Sequence, residues 1–310
     1  MEALSDFARN NHYSQNGEDG IVDEILERLK KHVQLDFWCC EFGAWDGVYL
    51  SNTCYFIREK NYRAILIEGN SKKVHQLNKN FPDDKIIKEN RLVAFEGENS
   101  LEMIFSEHKM PVNFDFLSID VDGVDYHIFD SLKAYRPKVI CIEFNPCMPN
   151  DCCYVNPKSM GVKHGSSAKA LTHLAKLKEY ELVACTNCNL IFVAKDLARF
   201  VTEKEQSLKE LNAQGNDPIY VFSGYDGSIL SNKEEIHLGW HGVPVPISTK
   251  LQYLPKFLRV FEGDYSLVQR ISLILWVGVT MPTLVIRKRD KALRRLINEV
   301  KKMKSFMRNT

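Results

Sequence analysis

The sequence lacks several features that define large classes of protein. Its formal net charge is only +1, so the composition gives no sign of a nucleic-acid partner. No internal repeat or low-complexity segment is present, which argues against solenoid and fibrous architectures. The longest apolar stretch, residues 271–286, is shorter than the roughly 20 residues that span a bilayer. Residues 1–15 contain no apolar core of a signal peptide.

The cysteines show no pairing pattern. The chain has nine of them, an odd number, and Cys39, Cys40 and Cys141 lie within apolar runs. Cysteine used in this way is a small core residue, as in proteins of a reducing compartment. We therefore expect a cytoplasmic protein, at most peripherally bound to the inner membrane surface. Cys185 and Cys188 lie in a predicted hairpin with no matching zinc-ligand spacing elsewhere, so we expect no zinc or redox site there.

Apolar runs alternate with helical patterns over the first 195 residues. This alternation predicts βαβ units around a parallel sheet. Residues 181–185 and 190–194 are joined by only four residues, which permits an antiparallel hairpin and excludes a crossover. We predict an α/β, Rossmann-like methyltransferase fold, with a mainly parallel sheet closed by an antiparallel hairpin. The predicted domains are residues 1–200, a C-terminal elaboration over 201–286 that could cap the substrate, and a basic tail helix over 287–310.

Acidic residues and glycines follow the predicted strands. The carboxyl ends of parallel strands meet at one edge of a sheet, where ligands bind. Glu68, at the end of the second strand, can accept hydrogen bonds from both ribose hydroxyls of a nucleoside. The dinucleotide pattern G-x-G-x-x-G is absent after the first strand, so this edge suits a cationic ligand without phosphate. The strand-end residues are Glu41, Gly43, Asp46 and Gly47; Glu68, Gly69 and Asn70; Asp120, Asp122 and Gly123; and Glu143 and Asn145.

Five motifs resemble those of the FkbM-type methyltransferases, a family of class I enzymes that use S-adenosylmethionine (SAM). The resemblance covers about residues 13–195, and it implies O-methylation, often of sugars or polyketides. At one position the chain departs from the usual family form, because Asp122 and Asp125 flank Gly123 where glutamate is common. The motifs are YSQNGEDG (13–20), EFGAWDG (41–47), LIEGN (66–70), SIDVDGVD (118–125) and IEFNP (142–146).

The resemblance also implies roles for individual residues in cofactor binding. Three residues after the first strand would approach the methionine part of SAM. Glu68 would hold the ribose, beside its neighbours Gly69 and Asn70. Three residues near the N-terminus would close over the cofactor. The first group is Glu41, Gly43 and Asp46, and the N-terminal group is Ser14, Gln15 and Glu18.

The acids after the fourth and fifth strands are the candidates for catalysis. Asp120 and Asp122 are the leading candidates for the base that removes a proton from the acceptor hydroxyl. With Glu143 and Asn145 they could instead hold Mg²⁺, which prefers oxygen ligands. Asp120 could also do no more than accept backbone hydrogen bonds at a helix start. His164, on the long loop 145–166, is an alternative base.

The sequence therefore predicts a SAM-dependent O-methyltransferase that acts on a hydroxyl or phosphate-type oxygen of a sugar or glycan precursor. Two alternatives remain open, a nucleotide-dependent oxidoreductase and a non-catalytic scaffold that binds glycans or partners. Residues 287–310 carry a net charge of +8, whereas residues 1–286 carry −7. An apolar stripe runs through this basic tail, which fits contact with an anionic membrane surface. Packing against the chain's own domain, or against a second copy in a homo-oligomer, fits it as well.

Overall fold

The computed structural model describes residues 2–121, 123–212, 220–238, 243–246 and 254–280. The chain divides into two compact units, Met1–Pro218 and Ile219–Thr310. Three features named above lie outside the described residues: Asp122, the basic tail over 287–310, and the far end of the apolar stretch over 271–286.

The first unit is built on a seven-stranded sheet. The strand order is β3-β2-β1-β4-β5-β7-β6, and the first five strands pair in parallel. Strand β7 runs antiparallel to both of its neighbours. This confirms the predicted Rossmann-like methyltransferase fold. The strands are β1 (Trp38–Phe42), β2 (Arg63–Ile67), β3 (Ile86–Glu89), β4 (Phe116–Ile119), β5 (Val139–Glu143), β6 (Tyr180–Cys185) and β7 (Asn189–Ala194).

Helices cover both faces of this sheet. Because successive side chains of a strand point to opposite faces, each central strand contributes to two apolar cores. In β1, Trp38, Cys40 and Phe42 enter one core, and Cys39 enters the other. The second core also receives α1 and α2. The helices are α1 (Glu18–Leu29), α2 (Cys54–Glu59), α3 (Ser71–Asn80), α4 (Leu101–Glu107), α5 (Asp125–Ser131), α6 (Ala168–Leu177), α7 (Lys195–Ala198) and α8 (Leu208–Leu211), preceded by a 3-10 helix (Leu4–Asn10).

The first unit continues past the predicted boundary at residue 200. Helix α8 packs against β6 and α6, and its residues Leu208 and Leu211 contact the first apolar core. The capping of α8 by Ser207 and Glu210 fixes its start, since each side chain binds the other's backbone N–H. These contacts place residues 201–212 with the sheet.

The second unit contains two antiparallel hairpins and one longer helix. Two short strands, β8 (Val221–Ser223) and β9 (Ile229–Ser231), pair about residues 224–228. A second hairpin, β10 (Glu235–Leu238) with β11 (Val243–Pro246), and helix α9 (Leu267–Thr280) were not predicted. The role of this unit as a substrate-side cap stays a prediction.

A buried ion pair holds the amino ends of β4 and β5 together. Asp115 directly precedes β4 and is fully buried, and its Oδ1 lies 2.9 Å from Nζ of Lys138, which directly precedes β5. Asp115 also accepts the backbone N–H groups of Asp36 and Phe37, ahead of β1. Asp36 gives the ammonium a second carboxylate at 2.6 Å. The edge of the sheet opposite the strand-end acids is thus fixed by charge and hydrogen bonds.

Replacing Lys138 with methionine tests this contribution. Methionine keeps most of the apolar stem but leaves Asp115 buried without its cation, so we expect the free energy of unfolding to fall by about 3 kcal/mol. Lys133→Met is the matched control. Its ion pair with Asp130 is exposed and 3.5 Å long, and such pairs contribute at most about 1 kcal/mol. Urea unfolding followed by circular dichroism measures both. Equal effects of the two changes would contradict the assignment.

Candidate functional site

The carboxyl ends of β1, β2, β4 and β5 form the candidate site. The order of the strands reverses between β1 and β4, and ligands of open α/β sheets bind at such a switch point. The loops that follow β1 and β4 touch each other there. Gly43 has a φ of +76°, and a Cβ on it would lie 1.8 Å from the carbonyl oxygen of Asp120. Only glycine fits this position, since any side chain would push the two loops apart.

Glu41 lies beneath this edge, not on it. Its side chain is 5% exposed, because the pleat of β1 turns it to the face that carries Cys39, under α1 and α2. One carboxylate oxygen accepts the hydroxyls of Ser51 and Thr53 at 2.6 and 2.7 Å, and the other accepts the backbone N–H of Asn52 at 2.8 Å. Burial raises the pKa of Glu41, and these hydrogen bonds oppose the rise. The carboxylate fixes the segment that enters α2.

The amino end of α2 is therefore occupied by side chains of the protein. In addition to the contact of Glu41 with Asn52, the hydroxyl of Ser51 accepts the backbone N–H groups of Thr53 and Cys54. In a dinucleotide-binding fold, the corresponding N–H groups face a pyrophosphate. Here these N–H groups already donate to a carboxylate and a hydroxyl of the protein, so they are not available to a pyrophosphate.

Asp46 shapes the loop between Gly43 and α2. Its Oδ1 accepts the backbone N–H groups of Val48 and Tyr49 at 2.9 and 2.8 Å. Such a contact of an aspartate with the backbone two and three residues ahead stabilises a turn. Asp46 is half-buried, and its carbonyl oxygen accepts from the amide of Asn80 in α3.

Glu68 joins the loops that follow β1 and β2. Its Oε2 accepts the backbone N–H of Trp45 at 2.9 Å, and its Oε1 accepts that of Asn70 at 2.7 Å. Because each carboxylate oxygen has two lone pairs, two acceptor positions remain after these contacts. Asn70 in turn caps α3 by accepting from the backbone N–H of Lys72. The carboxylate is half-buried and held by the backbone on both sides.

Two residues at this edge were missed by the sequence analysis. The side chain of Leu92, beyond β3, is 68% exposed and lies so close to Gly69 that a Cβ there would be 2.3 Å from it. Asn90 donates to the carbonyl oxygen of Glu68 and accepts from the hydroxyl of Ser71. Short, weak β3 gave no pattern from which the position of Leu92 beside Glu68 could be inferred.

The N-terminal motif is anchored by two buried carboxylates. Asp19 accepts the backbone N–H groups of His12, Tyr13 and Ser14, and Ser14 also bonds to it through its hydroxyl. Glu18 accepts from Thr186 at 2.7 Å and from Asn189 at 3.0 Å, at the tip of the β6–β7 hairpin. Ser14 and Glu18 are buried, whereas Gln15 is exposed and contacts the thiol of Cys188. Of the three residues predicted to close over a cofactor, Ser14 and Glu18 hold this motif in place.

Three carboxylates meet at the ends of β4 and β5. Oxygens of Asp120, Asp125 and Glu143 lie within 4.8 Å of one another. The predicted group contained Asp122, which is outside the described residues, whereas the observed one contains Asp125. Asp125 is buried, and its two oxygens accept the backbone N–H groups of Val121 and Gly123. Within the part of the chain that the structure describes, this is the one such group of His, Cys, Asp or Glu side chains.

Asn145 and His164 are held by the long loop to which they belong. The amide of Asn145 donates to the carbonyl oxygen of His164 at 2.6 Å and accepts the backbone N–H of Cys147 at 2.8 Å. His164 is exposed, and its Nδ1 lies 2.9 Å from the hydroxyl of Tyr154. His127 bonds to the carbonyl oxygen of Asn156 and so ties α5 to the loop. The loop packs onto the end of β4, where a Cβ on Gly123 would meet Lys163 at 2.9 Å.

The two cysteines of the β6–β7 hairpin, Cys185 and Cys188, are held as unreactive thiols. All nine are free thiols. Burial raises the pKa of Cys185 to about 12 and that of Cys188 as well, with the carboxylate of Glu18 adding to both. A thiol with a raised pKa is neither a good nucleophile nor a good metal ligand at neutral pH.

Comparison with solved structures finds SAM-dependent methyltransferases among the proteins that this chain resembles. They include TrmK from M. capricolum in complex with S-adenosylhomocysteine (17% identity, 55% of this chain and 67% of that one, TM-score 0.34). Another is a SAM-dependent methyltransferase from Aquifex aeolicus (11% identity, 56% and 88%, TM-score 0.34). A third is the CMeT domain of the citrinin polyketide synthase (12% identity, 59% and 54%, TM-score 0.39), of which the chain spans about half. No family model and no curated protein matches the chain. With likenesses this low, the assignment of the fold depends on the strand order.

Replacing Glu41 with glutamine tests how burial of its charge affects the stability of the fold. A carboxyl group whose pKa is raised by folding stabilises the fold fully below its unfolded pKa of about 4.3, and this contribution is lost as the pH rises through the folded value. Glutamine has no such loss, so we expect the stability of the wild type relative to Glu41→Gln to fall as the pH rises. Urea unfolding over a pH series measures the difference. In Glu107→Gln the trend should reverse, because Arg91 lowers the pKa of Glu107.

The alanine variant separates position from charge. Glu41→Ala removes the acceptor of two buried hydroxyls and one N–H, at about 1–3 kcal/mol for each donor left unsatisfied. We therefore expect Glu41→Ala to be far less stable than Glu41→Gln, while Glu41→Gln still binds the ligand of the site. A glutamine variant that folds normally but loses binding would show that Glu41 contacts the ligand directly.

Proposed function

We propose that this chain is a SAM-dependent O-methyltransferase whose acceptor is a hydroxyl or phosphate-type oxygen of a sugar or glycan precursor. The observation that supports it most is the placement of two carboxylates, those of Glu68 and Glu41, near the switch point of the sheet. Glu68 faces the edge with two acceptor positions available to ribose hydroxyls. Glu41 occupies the amino end of α2, where a dinucleotide would need to place its pyrophosphate.

In this proposal, residues of the loops that follow β1, β2 and β3 would hold the cofactor. Glu68 would accept its ribose hydroxyls, and the exposed side chain of Leu92 would contact its adenine. Gly43, which has no side chain, would leave room for the methionine part beside the backbone. Asp46 and Glu41 act by holding the loop, since their oxygens already bind backbone and hydroxyl donors.

The charge of the edge favours this ligand over a nicotinamide dinucleotide. SAM carries a sulfonium and an ammonium group against one carboxylate, whereas a dinucleotide carries an anionic pyrophosphate. Glu68, Asp120 and Glu143 surround the edge with negative charge, which attracts a cation and repels a pyrophosphate. The same reasoning disfavours the oxidoreductase alternative.

Methyl transfer asks little covalent chemistry of the protein. When bound, SAM would supply an electrophilic methyl group to an acceptor oxygen and would leave as S-adenosylhomocysteine. The protein has to align the oxygen with the C–S bond and accept the proton of a hydroxyl acceptor. Asp120, at the end of β4 beside Gly43, is our candidate for that base. His164, with Tyr154 on its Nδ1, is the second.

A divalent cation is an alternative to a side-chain base. Asp120, Asp125 and Glu143 would hold it, since their oxygens lie within 4.8 Å of one another, and Mg²⁺ prefers such ligands. The ion would supply a lowered pKa for an acceptor hydroxyl. The amide of Asn145, the fourth member of the predicted set, bonds within the long loop, and Asp125 likewise accepts two backbone N–H groups.

Calorimetry with SAM, S-adenosylhomocysteine and NAD tests cofactor binding. We expect micromolar affinity for the first two, on the order of typical substrate binding, and none for NAD. Glu68→Ala should weaken binding at least about tenfold, because two hydrogen bonds to a charged group are lost. Gly43→Val should abolish binding. Asp130→Ala, an exposed change on α5, is the control and should have no effect. Binding of NAD but of neither nucleoside would refute the proposal.

Turnover with labelled SAM tests the acceptor and the proton chemistry. We expect label in pooled nucleotide sugars or lipid-linked glycans, and label only in protein or nucleic acid would refute the glycan proposal. Asp120→Asn should reduce kcat by about 10²–10⁴-fold, as for a positioned base. If a metal acts instead, EDTA should stop turnover while leaving SAM affinity unchanged.

The remaining outcomes have distinct meanings. Turnover that survives both EDTA and Asp120→Asn would move the base to His164, and His164→Gln would then have to lower kcat. SAM binding without methylation of any acceptor would make the chain a binding scaffold and would refute methyl transfer.

A further inference from the structure

Helix α9 exposes an unusual amount of apolar surface. Its fourteen residues, Leu267–Thr280, read LVQRISLILWVGVT. Leu267, Ile271 and Leu275 are spaced four residues apart and form an apolar stripe along the helix. Ile274 and Val279 widen this stripe. These side chains are between 50% and 82% exposed. No helix within the described ranges has the length and hydropathy to cross a bilayer.

The rest of the same unit adds to this surface. The 3-10 helix Lys256–Leu258 packs beside α9, and Gln269 donates to the carbonyl oxygen of Phe257 at 2.8 Å. The ring of Phe257 and that of Phe261 are each more than half exposed. Contiguous apolar surface of this kind is uncommon on soluble monomers, and it marks a surface that contacts something apolar.

The sequence that follows α9 indicates what this contact is. Residues 287–310 hold ten lysines and arginines against two acids. A protein core or a second copy of the apolar face would not require this concentration of positive charge next to it. An anionic phospholipid surface offers acyl chains to the apolar side chains and phosphates to the basic ones. Trp276, on the same helix, is the residue type that favours the boundary between the two.

The polar side chains of α9 are gathered at one end of its described residues. Gln269, Arg270 and Ser272 lie in its first half, and the second half is apolar up to Thr280. We propose that the exposed apolar side chains of α9 contact the surface of an anionic bilayer, and that the positive charge of the sequence 287–310 favours this surface over a neutral one.

Co-sedimentation of the full chain with vesicles tests this surface. We expect binding to vesicles that contain phosphatidylglycerol and much weaker binding to pure phosphatidylcholine, with a decrease at high salt because the headgroup attraction is screened. Ile274→Ser together with Leu275→Ser should weaken binding at least about tenfold, because two large apolar side chains are no longer transferred from water into the bilayer. Arg294→Gln with Arg295→Gln should weaken binding only to the anionic vesicles.

A matched control separates this surface from general stickiness. Val112→Ser with Leu177→Ser removes two exposed apolar side chains from the first unit and should leave vesicle binding unchanged. SAM affinity should be unchanged in all variants, which keeps this test independent of the proposed enzyme activity. Wild-type protein that ignores anionic vesicles would overturn the proposal. So would an Ile274→Ser, Leu275→Ser variant that binds vesicles normally but changes a dimer to a monomer in sedimentation, because a second copy would then cover α9.

Discussion

The burial of one carboxylate, that of Glu41, governs the shape of the candidate site. A charged group under a sheet is tolerated only when hydrogen bonds replace its lost water, and Glu41 obtains them from Ser51, Asn52 and Thr53. This requirement fixes where the loop after β1 ends and α2 begins. The intervening residues begin at Gly43, which meets the carbonyl oxygen of Asp120 at the end of β4. Loss of these hydrogen bonds would therefore disturb the loop, although Glu41 itself lies beneath the edge.

The same constraint divides the acids of the edge into two kinds. Glu41, Asp19 and Asp125 are buried and accept hydrogen bonds from the chain itself, so they shape loops. Glu68, Asp120 and Glu143 are half-buried at the edge, and Glu68 also joins the loops after β1 and β2. Acidic residues thus have two roles at this edge, and the degree of burial distinguishes the two groups. Under the proposed function, the half-buried group would carry the negative charge that selects a cationic ligand, and the buried group would provide the rigidity needed to align the reactants.

The fold could be predicted because its signals are local. Apolar runs and helical spacing defined the strands of the first unit, and the four-residue connection between β6 and β7 required a hairpin. The strand-end acids were also visible in the sequence, but their directions were not. Whether Glu41 points up to a ligand or down to α2 depends on the pleat of β1. Asp125 entered the carboxylate group for a related reason: its oxygens accept the backbone N–H groups of Val121 and Gly123, which hold it beside Asp120. Leu92 follows a strand too short to predict its neighbours.

The contact of Glu18 with the tip of the β6–β7 hairpin has a consequence for the order of folding. Glu18 and Asn189 are 171 residues apart in the chain, and Thr186 is nearly as far. During synthesis, which proceeds from the N-terminus, the carboxylate of Glu18 has neither partner until the hairpin has left the ribosome. The N-terminal motif is thus anchored to the β6–β7 hairpin late, after the central strands can already pair. Because closing so long a loop is slow, nascent chains would pass through a stage with an assembled sheet and an open N-terminal side, a species that chaperones could bind.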